Sequence, residues 1–166
     1  WAHQPIGRTP AGVFLAAFNR APSCYRAAMR VHQERIEIRT PGVGLTDITA
    51  AVAQVVGRSA ITTGLCTVFV QHTSASLLIQ ENADPAVGRD LLRWLGDLAP
   101  ESRPWEHTEE GPDDMPAHAK AAITRSSEQI PITEGRLALG TWQGIQLCEH
   151  RHREHRRSLI VHLMGT

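Results

Sequence analysis

Four strand-like segments, at residues 129–133, 136–139, 144–150 and 158–163, follow one another with no helical pattern between them. A chain that ends this way does not alternate strand and helix, so a doubly wound parallel sheet is excluded for its C-terminal part. Upstream the order is strand, helix, two strands, helix and short helix. Such unequal grouping predicts an α+β fold with a mostly antiparallel, β-sandwich-like core and two main helices.

The individual elements rest on periodicity. Residues 31–40 alternate, with Ile36 and Ile38 on one face and Glu37 and Arg39 on the other, and end at Pro41-Gly42. Thr46 or Asp47 is placed to cap a helix whose apolar positions Ile48, Val52, Val55 and Val56 follow helical spacing. Residues 64–71 and 76–79 are strand-like and are expected to pair around the corner at 72–74. Asp84-Pro85 opens an amphipathic helix reaching Leu98, with Leu91, Leu92, Leu95 and Leu98 as its stripe. Residues 100–116, rich in proline and acidic side chains, suit an exposed loop, and 117–127 a short helix.

The chain has 166 residues, 17 basic and 17 acidic, and 42% are hydrophobic, the profile of one compact globular domain rather than a disordered one. Zero net charge argues against binding nucleic acid through its backbone, and no run of about 18 apolar residues offers a membrane span. Three scattered cysteines, Cys24, Cys66 and Cys148, make neither a disulfide framework nor a thiolate zinc site, and fit a reducing cytoplasm. Residues 1–28 hold Arg8, Arg20 and Arg26 and no acid. They read as a loosely ordered extension, with Met29 as the expected native start; the apolar run at 11–18, preceded by Arg8, faintly resembles a signal peptide but is only eight residues long and meets Arg20 without a clean small-x-small cleavage site. Residues 29–166 then form a single domain with 14 basic and 17 acidic residues, a net −3.

Four constellations could carry chemistry. Gln71 to Ser76 followed by Glu81, Asn82 and Asp84 gathers a histidine, hydroxyls, an amide and carboxylates, or is simply a polar corner and a helix cap. Five acids from Glu106 to Asp114, with His107 and His118 beside them, could surround a divalent cation, or form a solvated loop. Gly140-Thr141-Trp142-Gln143-Gly144 suggests a bulge or a ligand's close approach, against a tight turn with Trp142 in the core. The segment 150–157 is basic, a phosphate site or a solvated hairpin. Lys120 is the only lysine beside sixteen arginines, and its place two residues after His118 is compatible with a position that needs a compact ammonium.

These residues make the sequence resemble the YjbQ-like family, named secondary thiamine-phosphate synthase in many genomes. The resemblance runs from about Arg30 to Gly165. It rests on His72-Thr73-Ser74-Ala75, Glu81-Asn82-Ala83-Asp84-Pro85, Trp105 with His107, Ala117-His118-x-Lys120, and Leu139 to Gly144 continuing to Cys148-Glu149. The chain departs from the family pattern at Asp113-Asp114-Met115-Pro116 and at Glu149-His150-Arg151-His152-Arg153. The resemblance implies a homotrimer and a polar pocket holding a divalent metal, zinc or magnesium, on His72, His107 and His118. It implies catalytic roles for Glu81, Asp84 and Lys120, and substrate contacts from Thr73, Ser74, Asn82, Trp142, Gln143 and Glu149. The expected reaction joins hydroxymethylpyrimidine diphosphate to thiazole phosphate and releases pyrophosphate. A metal-dependent hydrolase of a small phosphate ester and a non-catalytic trimeric binding protein are the alternatives.

Overall fold

The computed structural model describes residues 28–166, so the N-terminal segment read above as an extension lies outside the described residues. The elements are β1 (Arg30–Thr40), β2 (Gly44–Asp47), α1 (Thr49–Ser59), β3 (Gly64–Val70), β4 (Ala75–Glu81), α2 (Pro85–Leu98), α3 (Asp114–Ile123), β5 (Ser127–Thr133), β6 (Arg136–Leu137), β7 (Gln143–Glu149) and β8 (His155–Gly165). They form a five-stranded sheet, β1-β8-β3-β5-β6, and a three-stranded sheet, β2-β7-β4, antiparallel throughout. The α+β, largely antiparallel architecture is the one expected.

One core lies between the sheets. Val68, Val161 and Leu163 face in from the larger sheet, Leu77, Ile145 and Leu147 from the smaller, and Val52, Val55 and Val56 of α1 complete it. Ile36 and Ile38 pack on its edge, as the alternation in β1 requires. Where the chain leaves β1, Gly42 has φ +139° and a Cβ there would stand 2.5 Å from the His152 carbonyl oxygen, so the turn needs glycine to lie against the hairpin after β7.

Three expectations fail, each for a local reason. β3 and β4 do not pair: β3 runs between β8 and β5, and β4 pairs with β7. No residue from Gln71 to Ser74 has a positive φ, so the tight hairpin turns that need one are unavailable and the corner carries the chain from one sheet to the other. The Ser74 N–H donates to His72 Nδ1 at 3.0 Å and closes that corner. β2, four residues with a single large apolar side chain, escapes a periodicity search; the cap position of α1 is Ile48, and neither Thr46 nor Asp47 holds it, although Asp47 Oδ1 accepts from the Thr49 N–H at 2.8 Å from one residue earlier. Finally, α3 begins at Asp114 instead of 117, because Pro116 sits in the first turn, where no N–H is needed.

α2 starts as expected, with Asp84 Oδ1 accepting from the Ala86 N–H at 2.8 Å and Pro85 in the first turn. Its stripe is only partly covered: Leu95 is buried, whereas Leu98 and the neighbouring Trp94 are exposed. α2 packs on β2, and α3 on β4.

Candidate metal centre

His107 lies in the loop before α3, and Asp114 and His118 lie four residues apart on α3, a spacing that turns both to one face. His107 Nε2 stands 2.8 Å and His118 Nε2 3.3 Å from Asp114 Oδ2. One ligand atom from each residue falls within 4.8 Å of the others. The three atoms lie close enough together that a single small cation could be held between them. His118 Nδ1 is 3.1 Å from the Thr73 carbonyl oxygen, which can only accept. Nδ1 therefore carries the proton and Nε2 presents its lone pair to the cluster, the orientation that metal-binding histidines usually receive.

Asp114 is 1% exposed. Its second oxygen, Oδ1, accepts from Arg151, which leaves Oδ2 for the cluster. Arg151 also donates from Nε to Asp113 Oδ2 at 3.1 Å and from Nη2 to the Glu110 carbonyl at 2.7 Å, tying the acidic loop to the hairpin after β7. Burial works against the Asp113 carboxylate, but the His152 N–H at 2.8 Å and Arg151 outweigh it and hold this carboxyl below its ordinary range. Two imidazoles and one carboxylate suit zinc or a related transition ion better than magnesium, which prefers oxygen ligands. Held by three protein groups only, an ion here would keep a coordination position open, as in catalytic sites.

Beside the cluster, Glu149 and Arg157 are fully buried and paired twice, Nε to Oε2 and Nη2 to Oε1, both at 2.6 Å. Thr40 Oγ1 donates to Oε2 at 2.8 Å, and the His150 and Arg151 N–H groups donate to Oε1 at 3.1 and 3.0 Å. Burial opposes the charge on Glu149, yet Arg157 and these donors win, and its carboxyl titrates below the usual range. Arg157 reaches Ser74 Oγ at 3.4 Å, and Ser74 sits against His72 Nδ1. Because Nδ1 accepts from the Ser74 N–H, the neutral His72 ring has its proton on Nε2. Burial, and next the positive charge of Arg157, lower the His72 pKa and keep the ring neutral. His72 is thus a hydrogen-bond donor; in the observed cluster Asp114 stands where the resemblance implied His72 as a ligand. His72, Thr73 and His118 line a cavity of about 320 Å³ against α3.

The other residues expected at the site are elsewhere. The β4–β7 ladder runs from Ala75 opposite Glu149 to Glu81 opposite Gln143, and six residues of strand span about 20 Å. Glu81, Asn82, Asp84, Trp142 and Gln143 gather at the far end from His72, Thr73, Ser74 and Glu149. Asp84 caps α2, Gln143 Oε1 accepts from the Gly140 N–H at 2.8 Å, and Trp142 is 64% exposed, closing no pocket over the metal cluster. The ammonium of Lys120 acts on buried His150 instead: burial and, after it, this charge push the His150 pKa down to about 4. Burial likewise pushes the neighbouring Cys148 thiol up to about 12.

Arg151 and Arg157 are the site residues that the sequence reading left without an individual role, in a basic segment read as a phosphate site or a solvated hairpin. Asp114 was read as one of five acids that could surround a divalent cation or form a solvated loop. The structure spends the charges of Arg151 and Arg157 internally, whereas Arg153 and Arg156 of the same segment remain exposed. The signal for Asp114 was its i, i+4 spacing to His118, readable only with α3 begun ahead of Pro116.

Comparison with known proteins agrees with this architecture. The family model described as UPF0047 protein YjbQ-like matches residues 34–166. A UPF0047 protein of Synechocystis is 54% identical over 140 residues, covering 84% of this chain and 95% of its own length. The UPF0047 protein YjbQ of Salmonella typhimurium is 44% identical over 109 residues, 66% of this chain and 79% of that protein. Among solved structures, a YbjQ-like protein of unknown function from Sulfolobus solfataricus superposes with a TM-score of 0.79 at 31% identity, covering 84% of this chain and all of that one. The chain is a member of the UPF0047, YjbQ-like family.

Proposed function

We propose that this protein is a metal-dependent enzyme that hydrolyses a small phosphate ester, with His107, Asp114 and His118 holding a zinc-type divalent ion. The observation that carries the reading is the convergence of these three groups with the His118 tautomer fixed by the Thr73 carbonyl. When bound, the ion supplies Lewis acidity, lowering the pKa of water and neutralising charge on phosphate oxygens. Arg151 holds Asp114 so that one carboxylate oxygen faces the cluster. His72, neutral and protonated on Nε2, is suited to donate to a phosphate oxygen in the cavity that it shares with His118. Arg157 and Glu149 keep the Ser74–His72 corner in place from beneath.

The resemblance also supports a second reading, coupling of hydroxymethylpyrimidine diphosphate with thiazole phosphate. That reaction assigns Glu81, Asn82 and Asp84 to the same bond as the histidines, and within one chain they stand about 20 Å away along β4. Hydrolysis needs only the groups already assembled. The resemblance further carries a homotrimer, for which exposed Trp94, Leu98, Ile123 and Trp142 offer apolar surface; light scattering at three chain masses tests it. A cytoplasmic location is supported by the two buried free thiols, Cys66 and Cys148. No helix among the described residues is long and apolar enough to cross a membrane.

The deciding experiment strips the purified protein of metal and restores zinc or magnesium. It is then offered p-nitrophenyl phosphate alone and, separately, both thiamine precursors. Zinc-dependent phosphate release from the single ester, abolished in His118→Ala, is the expected result. Thiamine phosphate formation would replace this reading with the coupling reaction, and tight binding without turnover would leave a binding protein.

A further inference from the structure

The basic segment after β7 holds two arginines that no ion pair neutralises. Arg151 and Arg157 pair with buried carboxylates, whereas Arg153 and Arg156 are exposed and make no ion pair among the described residues. The β1–β8 register sets Arg156 directly opposite Arg39. Because their neighbours Ile38 and Arg157 turn inward, both arginines leave the outer face of the five-stranded sheet. Like charges directly opposite one another destabilise an antiparallel pair. One acid answers them: Glu154 Oε2 accepts from Arg39 Nη2 at 2.5 Å. The two side chains of that pair are 69% and 65% exposed, so it offsets little of the repulsion.

The surroundings define what would fit. Arg39, Glu154, His155 and Arg156 line a cavity of about 190 Å³, and Arg153 flanks it from the adjoining cavity, which also includes His155. The His155 Nδ1–H donates to the Arg153 carbonyl at 2.9 Å and fixes the hairpin tip beside the sheet. Arg35 leans toward the same spot, its Nε donating to Ser158 Oγ at 2.5 Å, two residues along β8 from Arg156. Four arginines meet two acids there, Glu37 and Glu154, a local +2 on a domain whose sum is −3. Positive charge gathered against the sign of the whole domain selects an anion. The volume is below that of sites for drug-sized ligands and suits a single anionic group. Guanidinium forks match the oxygens of phosphate or carboxylate, and a tetrahedral dianion can engage Arg39 and Arg156 together. An extended polyanion finds no continuation, since Gln33, Val31 and Met164 replace arginine further along this face.

We propose that Arg39 and Arg156, flanked by Arg153, form a binding site for a single phosphate-type dianion. It shares no residue with the metal cluster, and it binds or fails whether or not that centre holds an ion.

The test titrates the whole protein with inorganic phosphate at fixed ionic strength, and with acetate as the monoanion, following arginine Nε–H and backbone amide signals by NMR. Saturable shifts at Arg39 and residues 153–156 with phosphate are expected, with acetate bound about tenfold or more weakly. Arg156→Gln should weaken phosphate about tenfold. Glu154→Gln should tighten it, because the carboxylate that competes for Arg39 is gone. Arg156 and Glu154 are exposed, so both variants keep the fold. Shifts that do not saturate or that fall only at residues 107–118, equal binding of acetate, or unchanged affinity in Arg156→Gln would overturn the proposal. So would a short oligonucleotide that binds at the same signals more tightly than phosphate.

Discussion

The two ends of the β4–β7 ladder carry similar side chains in opposite states. At the Ala75–Glu149 end, the buried carboxylates are matched: Glu149 by Arg157 and Thr40, Asp114 by Arg151, Asp113 by Arg151 and the His152 N–H. At the Glu81–Gln143 end, Glu81, Arg89 and the Gln146 amide face a cavity without partners among the described residues. The matched end fixes geometry before anything binds, which a metal site needs because its ligands must point correctly in advance. The unmatched end leaves its polar groups open to solvent. Tight pairing and open pairing thus coexist on one small sheet.

The largest effect should come from breaking the matched end. Arg157→Met strands the Glu149 carboxylate in the core and should cost about 3–5 kcal/mol in urea unfolding. Adding Glu149→Leu should restore most of that loss, since the apolar pair no longer needs solvation. A single-variant loss below about 1 kcal/mol would show that Glu149 reaches water and that the pairing is not what holds this end.

Acid titration should sharpen the contrast next. His150 has a folded pKa of about 4 against about 6.5 unfolded. In that interval the unfolded chain binds the extra proton, so stability is present above about pH 6.5 and falls as the pH drops toward 4. The full loss is about 3 kcal/mol. His150→Gln should flatten this part of the profile relative to the parent. Glu149, held low, adds a further loss only below the ordinary carboxylate range. Identical slopes in parent and variant would mean that His150 is not held neutral.

Arg151→Leu should release Asp114 Oδ1 and weaken zinc binding about 10–100-fold, measured by competition with a chelator. Unchanged affinity would leave Arg151 a loop clamp only. The smallest effect belongs to the open end: Gln146→Leu should leave stability within about 1 kcal/mol of the parent, because its amide makes no hydrogen bond among the described residues and its loss strands no partner. A large loss would reveal a partner for that amide and close the comparison.

Much of the fold was legible because its signals are local. The alternation of β1, the Asp84-Pro85 start of α2 and the spacing of Val52, Val55 and Val56 each write one face of one element. Strand pairing was not legible, since β3 and β4 look like a hairpin to any local rule, and only the absence of a positive-φ residue at the corner, a property of the folded backbone, separates them. His107 and His118 were legible as candidate ligands from residue type and family resemblance, and the structure brings them together. Asp114 was legible only as one of five acids beside them, and what sets it apart, its helical spacing to His118, was hidden because Pro116 reads as a helix stop when it is a helix start. Arg157 was hidden for another reason: in a run of four arginines nothing in sequence tells the one that is 1% exposed from those in solvent.

The central claim is that His107, Asp114 and His118 together hold one divalent ion. Calorimetric titration of the metal-free protein with zinc tests it most directly, comparing the parent with Asp114→Asn and His118→Ala. The account predicts one zinc per chain in the parent and loss of that binding in both variants. No binding in the parent, or binding of undiminished stoichiometry and affinity in both variants, would contradict it.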